Sequence, residues 1–267
     1  EGEVRVRVRS AGVNFPDILI TQGIYQFKPA HPFSPGSECA GDVLSVGPGV
    51  TNFKAGDRVI AMTGHGAFAE EVNTLASNCV HLPDDISYEL GSAFVLTYGT
   101  SIYALLQMGK LQKDEWLLVH GAAGGVGLSA VEIGKAMGAK VIGTASSDEK
   151  LKIVTEHGAD EVINYSDGPF KDKVKEVCGS AGADVIYDPV GGDVFDQSLR
   201  CINWDGRLLV IGFASGRIPE APANLALLKN CFIVGVFWGA WNKRNPEGHA
   251  KNMDILFQWL HEGKLRP

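Results

Sequence analysis

The seven residues Gly121-Ala122-Ala123-Gly124-Gly125-Val126-Gly127 have the composition of a turn that lets a ligand approach the backbone. They lie between an apolar run, Glu115-Trp116-Leu117-Leu118-Val119-His120, and a helix-compatible stretch from Leu128 to Met137. In that setting the backbone amides and the positive end of the helix can hold a pyrophosphate, and small residues are needed because a Cβ would bar close approach. A tight turn packed without ligand is the competing reading; the place of the motif inside a full alternating unit favours a nucleotide. About 20 residues beyond such a turn an NAD enzyme places a carboxylate for the ribose hydroxyls. Here the chain has Ala145-Ser146-Ser147, with Lys150 one turn into the next helix. Hydroxyls and an ammonium accept a 2′-phosphate that a carboxylate would repel, so the pattern points to NADP(H) rather than NAD. Asp148 and Glu149 are the alternative sugar-binding acids, but their place in a first helical turn suits dipole complementarity.

The elements that must position these residues read as a doubly wound α/β sheet. The strands expected are 115–120, 140–145, 161–164, 183–188 and 206–212, with one more β-branched, aromatic run at 231–238. Helices are expected over 128–137, from a capping box Ser146 to Glu149 up to His157-Gly158, over 170–177 and around 194–202. Up to about residue 93 the texture is different. Short β-rich runs alternate with Gly/Pro turns, as in Val4-Arg5-Val6-Arg7-Val8-Arg9, Gly41-Asp42-Val43-Leu44 and Gly56-Asp57-Arg58-Val59, which describes a small, irregular, mostly β domain.

Composition narrows the partners. The 267 residues are 45% hydrophobic and 21% charged, with a formal net charge of -7, so neither nucleic acid nor an anionic membrane is favoured and small molecules are. No apolar stretch nears the roughly 20 residues of a spanning helix, and no signal peptide is read at the amino end. Cys39, Cys79, Cys178, Cys201 and Cys231 show no C-x-x-C spacing, against a disulfide framework and a cysteine-rich zinc site. A reducing, cytoplasmic location is expected, an organelle remaining open. The first residue is Glu1 with strand-like alternation already from Val4, and Leu256 to Lys264 reads as a helix stopped by a glycine, so both ends are expected to continue in a longer polypeptide.

Ala122-Ala123-Gly124-Gly125-Val126-Gly127 followed by Gly138-Ala139-Lys140-Val141-Ile142 resembles the cofactor turn of the zinc-free quinone oxidoreductases, which are medium-chain dehydrogenase/reductases. Ala11-Gly12-Val13-Asn14-Phe15-Pro16-Asp17, Gly56-Asp57-Arg58-Val59, Gly158-Ala159-Asp160 with Asn164-Tyr165, and Asp188-Pro189-Val190-Gly191-Gly192 extend the likeness over nearly the whole chain. The resemblance implies a GroES-like, mostly β catalytic domain over residues 1–95, to which 238–267 return, and a Rossmann NADP-binding domain over 96–237, with the active site in the cleft between them. It also implies that Ser146, Lys150 and Tyr165 hold the 2′-phosphate.

For the chemistry, Gly23-Ile24-Tyr25 is similar to the segment that carries an active-site tyrosine in zinc-free quinone and enoyl reductases. Tyr25 is the expected donor to a developing oxyanion, a packed loop tyrosine being the alternative. Asn14 and Asp17 match cleft-lining positions that orient nicotinamide or substrate, although Asp17 also suits an Asx turn. Tyr103 matches a position facing the cofactor, or is a core tyrosine. Gly212, Phe213 and Ala214, with Val236 and Phe237, sit where the family covers the nicotinamide, and Phe237, Trp238 and Trp241 would make an apolar wall for a ring. Asp188 ends a strand at the ligand-facing rim, or caps a turn. The run 231–238 pairs edge to edge in family dimers, so a homodimer is expected. Where zinc relatives carry a Cys and the His of a Gly-His-Glu segment, this chain has Asn14 and Gly36-Ser37-Glu38, neither Asn nor Ser being a good zinc ligand. The resemblance thus implies a metal-free NADPH-dependent reductase of quinones or α,β-unsaturated carbonyls. The alternatives are a 2-enoyl thioester reductase and a non-catalytic NADPH-binding relative.

Overall fold

The computed structural model describes residues 1–267. The chain divides into two compact units, residues 1–96 with Pro267 and residues 97–266. No helix is long and apolar enough to cross a membrane.

The first unit is built on an antiparallel sheet of β1 (Glu3–Gly12), β2 (Glu38–Val46), β3 (Arg58–Met62), β4 (Glu71–Leu75) and β5 (Cys79–His81) in the order β4-β1-β2-β3-β5. The alternation seen in β1 is the pleat itself. Val4 and Val6 turn inward to Val43, Phe53, Val59 and Ala61, while Arg5 and Arg9 turn out to Glu71 and Asp42. Helix α1 (Phe15–Thr21) leaves the end of β1 with Pro16 in its first turn, where a missing amide costs no helical hydrogen bond. Helix α2 (Tyr88–Gly91) follows the sheet, and α3 (Val95–Ile102) comes next in the chain.

The second unit is a parallel sheet ordered β11-β10-β9-β6-β7-β8. Its elements alternate: β6 (Trp116–Val119), α4 (Gly125–Ala136), β7 (Lys140–Ala145), α5 (Asp148–Glu156), β8 (Glu161–Asn164), α6 (Phe170–Val177), β9 (Ala183–Asp188), α7 (Gly192–Cys201), β10 (Ile202–Val210), α8 (Ala223–Lys229) and β11 (Phe232–Gly235). The chain builds outward from β6 through β7 to β8, then returns to place β9 on the other side of β6. That reversal is the switch point where open parallel sheets take ligands, and the glycine turn leaves β6 there. Beneath it Ser101 Oγ lies 2.8 Å from both Ser129 Oγ and the Tyr187 hydroxyl, so these buried polar groups satisfy one another.

Three details differ from the sequence reading. The helix cap after β7 is Ser147, whose hydroxyl accepts from Lys150 N, rather than Ser146; the chain stays extended one residue longer, which frees Ser146. Strand β10 begins at Ile202 rather than 206 and ends at Val210, because a register shift between Ile202 and Arg207, with Asp205 at a positive φ of 58°, lets the strand resume after an irregularity. The last helices, α9 (Trp238–Arg244) and α10 (Pro246–His261), pack within the second unit instead of returning to the first. Trp241 stacks on Tyr103 with ring centroids 4.4 Å apart, and Asn252 and Gln107 exchange hydrogen bonds of 2.7 and 3.3 Å. These partners all lie in residues 97–108, while Trp238 Nε1, Asn242 Oδ1 and His249 Nδ1 on the same two helices are buried without a hydrogen-bond partner.

Gly127 is buried in the first turn of α4, where an added Cβ would stand 2.2 Å from the Gly121 carbonyl oxygen and 2.7 Å from Ala122 Cα. Both obstacles are backbone and cannot rotate away. We expect Gly127→Ala to destabilise the protein by roughly 1–3 kcal/mol or more, as overpacking against rigid neighbours does. Urea unfolding checks this, and wild-type stability would show that the turn can open.

Candidate functional site

The glycine turn forms a shallow cradle. Gly124 is extended, at φ -84° and ψ 166°, and its carbonyl accepts the first helical bond from Leu128 N at 2.8 Å. The amides of Gly125, Val126 and Gly127 therefore belong to the first turn and have no acceptor within the helix, which makes them donors for an anion. Gly124 and Gly125 are exposed. Ala122 N binds Thr144 O at 3.0 Å and ties the turn to the end of β7.

At that end Lys150 Nζ donates to Ser146 Oγ at 3.2 Å, and Ser166 Oγ donates to Ser146 O at 2.9 Å. The structure thus brings Ser146 and Lys150 together, with Tyr165 in the short turn after β8, its ring packed against the core. Asp148 accepts from Asn164 Nδ2 at 2.9 Å, so this acid is engaged with its neighbour. A phosphate there would meet two hydroxyls and an ammonium.

The rim beyond β9 and β10 is a pair of interlocked turns. Asp188 is buried, and its Oδ1 accepts from the amides of Val190 and Gly191 at 2.8 and 2.9 Å. The carboxyl serves its own turn, and burial raises its proton affinity against the two amide bonds that lower it. Gly212 N and Ala214 N bind the carbonyls of Asp188 and Pro189, leaving Phe213 exposed. Val236 N binds Val210 O, and Phe237 is 59% exposed. Trp238 and Trp241 do not join Phe237 in an apolar wall. Trp238 is only 6% exposed and is pressed so close to Gly99 that a Cβ there would meet its ring at 2.9 Å, while Trp241 is the stacking partner of the buried Tyr103. Tyr103 is accordingly placed as a core residue.

In the first unit, Asn14, Asp17, Tyr25, Ser37 and Glu38 form a second cluster. Asn14 caps α1. Its backbone amide donates to Asp17 Oδ2 at 2.9 Å, and Asp17 Oδ1 accepts from the Ser37 hydroxyl, so both oxygens of this buried acid are turned inward. Tyr25 is half-buried, and desolvation, a bond with Gln26 working against it and the nearby Asp17 charge together raise its proton affinity, which keeps the phenol an O–H donor. Glu38 has no exposed surface. Its Oε1 accepts from Leu96 N at 3.0 Å, and its Oε2 lies 3.4 Å from Asn14 Nδ2. Burial pushes its carboxyl up to about 8, with the amides of Leu96 and Val95 and the Asn14 side chain opposing and Asp17 adding to the rise. The sequence signal for Glu38 was an acid at the start of an apolar strand, between Ser37 and Cys39; its inward direction and its partner 58 residues away, Leu96, were not local information.

A zinc ion does not fit this donor set. Ser37 is committed to Asp17, the Asn14 amide faces Glu38, and no group of three or more His, Cys, Asp or Glu side chains is arranged to hold a metal. His65 lies between Phe27 and Phe33, and His81 is hydrogen-bonded to Asn52 O, so neither imidazole joins the cluster.

Comparison with known proteins agrees with both units. Residues 1–84 match the alcohol dehydrogenase GroES-like domain, and residues 125–252 match the family described as zinc-binding dehydrogenase. The quinone oxidoreductase-like protein 2 homolog of Nematostella vectensis is 44% identical over 99% of this chain and 73% of its own length. A quinone oxidoreductase of Pseudomonas aeruginosa is 40% identical over 99% of this chain and 81% of its own. The crystal structure of the Escherichia coli quinone oxidoreductase complexed with NADPH superposes with a TM-score of 0.92 at 33% identity, covering 100% of this chain and 82% of that one. With a GroES-like antiparallel unit, a Rossmann unit and these relatives, the chain belongs to the quinone oxidoreductase family of medium-chain dehydrogenase/reductases.

Proposed function

We propose that this protein is an NADPH-dependent oxidoreductase that reduces a quinone, or another α,β-unsaturated carbonyl, without a metal. The observation that carries the reading is the Lys150–Ser146 pair at the end of β7, set beside the glycine cradle of α4. Hydroxyls and an ammonium at that place select a 2′-phosphate, and the NADPH complex of the Escherichia coli relative supports the assignment.

NADPH, when bound, supplies the hydride. The amides of Gly125, Val126 and Gly127 would hold its pyrophosphate; Ser146, Ser147, Lys150 and Tyr165 would bind the 2′-phosphate; and Phe213 with Phe237 would offer apolar cover to the ring. Hydride added to an electrophilic atom of the acceptor would displace an electron pair onto its carbonyl oxygen. The Tyr25 hydroxyl and the Asn14 carboxamide are the groups we assign to that oxygen, with one proton completing the hydroquinone or the saturated ketone. Asp17 serves as support for Asn14, not as an acid or base. We assign the exposed edge of β11, with Phe232 and Ile233, and the exposed Leu227 and Leu228 of α8, to pairing with a second copy of this chain.

Two experiments test the reading. Lys150→Ala removes a charge that only the 2′-phosphate meets, so NADPH should bind about tenfold more weakly while NADH changes little; equal losses would sink the NADP assignment. Tyr25→Phe keeps the ring and removes one donor. Turnover should drop by roughly 10²-fold at unchanged NADPH affinity, more steeply on an enoyl thioester than on a quinone, whose charge spreads over the ring. Full activity on both acceptors would make Tyr25 a packing residue.

A further inference from the structure

We propose that Glu38 is a positioning residue that sets which end of the Asn14 carboxamide, donor or acceptor, is turned outward. The inference rests on the reading of Asn14 as a group that meets the acceptor oxygen.

The argument is a count of donors and acceptors. Asn14 is held at its backbone, since its amide donates to Asp17 Oδ2 and its carbonyl accepts from Asp17 N at 3.0 Å. Rotation of the carboxamide then exchanges NH2 and oxygen. Glu38 Oε1 is taken by Leu96 N, leaving Oε2 to face Asn14. An ionised carboxylate only accepts, so Asn14 must present its NH2 inward, the arrangement seen, and its oxygen outward. With a proton on Oε2 the inner bond reverses. Oε2–H then donates to Asn14 Oδ1, and the NH2 end points outward as a hydrogen-bond donor. Only the second arrangement stabilises negative charge on a reacting carbonyl oxygen.

The bond seen is that of the ionised carboxylate, while the surroundings raise the proton affinity of Glu38. Asp17, from α1, is the charged group acting on Glu38, and it is of like sign. β1 and β3 place Gly12 and Met62 opposite it, Val95 and Leu96 offer backbone amides, and the neighbouring Cys39 thiol is pushed up to about 12 by burial and by Glu38 itself, so it stays uncharged at neutral pH. No cation is among these groups. The lift of Glu38 to about 8 then puts the turnover of the carboxamide on the alkaline side of neutrality.

Glu38→Gln separates this from a merely structural role. Its single oxygen must keep the bond to the part-buried Leu96 amide, because leaving that donor unpaired is costly. Its NH2 therefore faces Asn14, whose oxygen turns inward and whose NH2 stays outward at every pH. The first measurement is made on the free protein, following the side-chain 15N–1H signals of Asn14, identified by their loss in Asn14→Asp. In the wild type they should move through one transition near pH 8; in Glu38→Gln they should stay at the low-pH position. The second follows kcat/KM with NADPH and a quinone. Wild-type activity should fall about tenfold per pH unit above the transition, as for one required proton, and Glu38→Gln should lose that alkaline limb. Asn14→Asp, which offers only acceptors, should lower turnover by roughly 10²-fold across the range. Wild-type Asn14 signals that do not move between pH 6 and 10, or an identical transition in Glu38→Gln, would overturn the proposal, and the wild-type titration decides even where the variant fails to fold. Absence of quinone turnover in the wild type would instead reject the functional reading, leaving the spectroscopic result to stand by itself.

Discussion

The structure turns on a close approach of backbone to backbone between β6 and α4. At Gly127 the helix passes so near the Gly121 carbonyl that hydrogen is the largest substituent with room. Because the helix can come that close, its first-turn amides end beside the C-terminal ends of the strands, at the point where strand order reverses. Similar demands recur where the neighbours are side chains. Gly134 lies under Leu117, where a Cβ would stand 2.5 Å from Cδ2, and Gly143 under Val154, at 2.3 Å from Cγ1. A leucine or valine can rotate in response, whereas a peptide carbonyl in a turn cannot, so Gly127 is the stricter requirement.

Two buried ionisable groups show how burial acts once polar partners are fixed. His120 is sealed in the second unit with Nδ1 2.9 Å from Thr144 Oγ1 and Nε2 2.9 Å from Ser198 Oγ. Both ring nitrogens are satisfied by hydroxyls that can donate or accept, and burial pushes the imidazole down to about 3, so it remains neutral and structural. Glu38 is equally buried, but one of its partners is a carboxamide on the half-exposed Asn14. A proton gained or lost there changes the direction of a hydrogen bond that reaches a less buried residue. The difference lies in the partner, since the desolvation is of the same kind in both.

The second unit was largely legible because its signals are local. Alternating apolar and glycine-rich segments located β7, α6 and β9 at their observed bounds, and the strand-end serines with Lys150 were found from spacing alone. The reading failed where long-range packing decided. Trp238 and Trp241 look like a ligand-facing aromatic run, yet the space over Gly99 and the face of Tyr103 draw them inward. Asp188, by contrast, follows the local alternative of a turn cap, since amides of its own turn two and three residues on claim its carboxyl. In the first unit the residue types at Asn14, Asp17 and Tyr25 were visible, while the inward turn of Asp17 depends on Ser37, and the burial of Glu38 on a strand register with Gly12 and Met62. A sequence shows which groups are present; that Asp17 Oδ1 faces Ser37 and Glu38 Oε1 faces Leu96 is set by residues 20 and 58 positions away.

The donor set of the first unit bears on the kind of acceptor the fold can serve. A zinc ion polarises a carbonyl by charge, and that charge must be balanced by thiolates and imidazoles. The cluster here holds two buried acids, Asp17 and Glu38, a serine and an amide, with no cation beside them. Such a site holds no cation to present to an oxyanion; on the function we propose, the donors it offers are neutral, the phenol of Tyr25 and, when Glu38 is protonated, the amide of Asn14. Neutral donors are weaker than charged ones by about half, so the reaction must leave less charge to stabilise at one atom. Conjugated acceptors meet that condition, because the electron pair released by hydride addition is shared along the conjugated system, whereas a simple alkoxide concentrates it on a single oxygen. Within the function we propose, the electrostatics of these five side chains thus favour conjugated carbonyls, by a route independent of the cofactor site in the other unit.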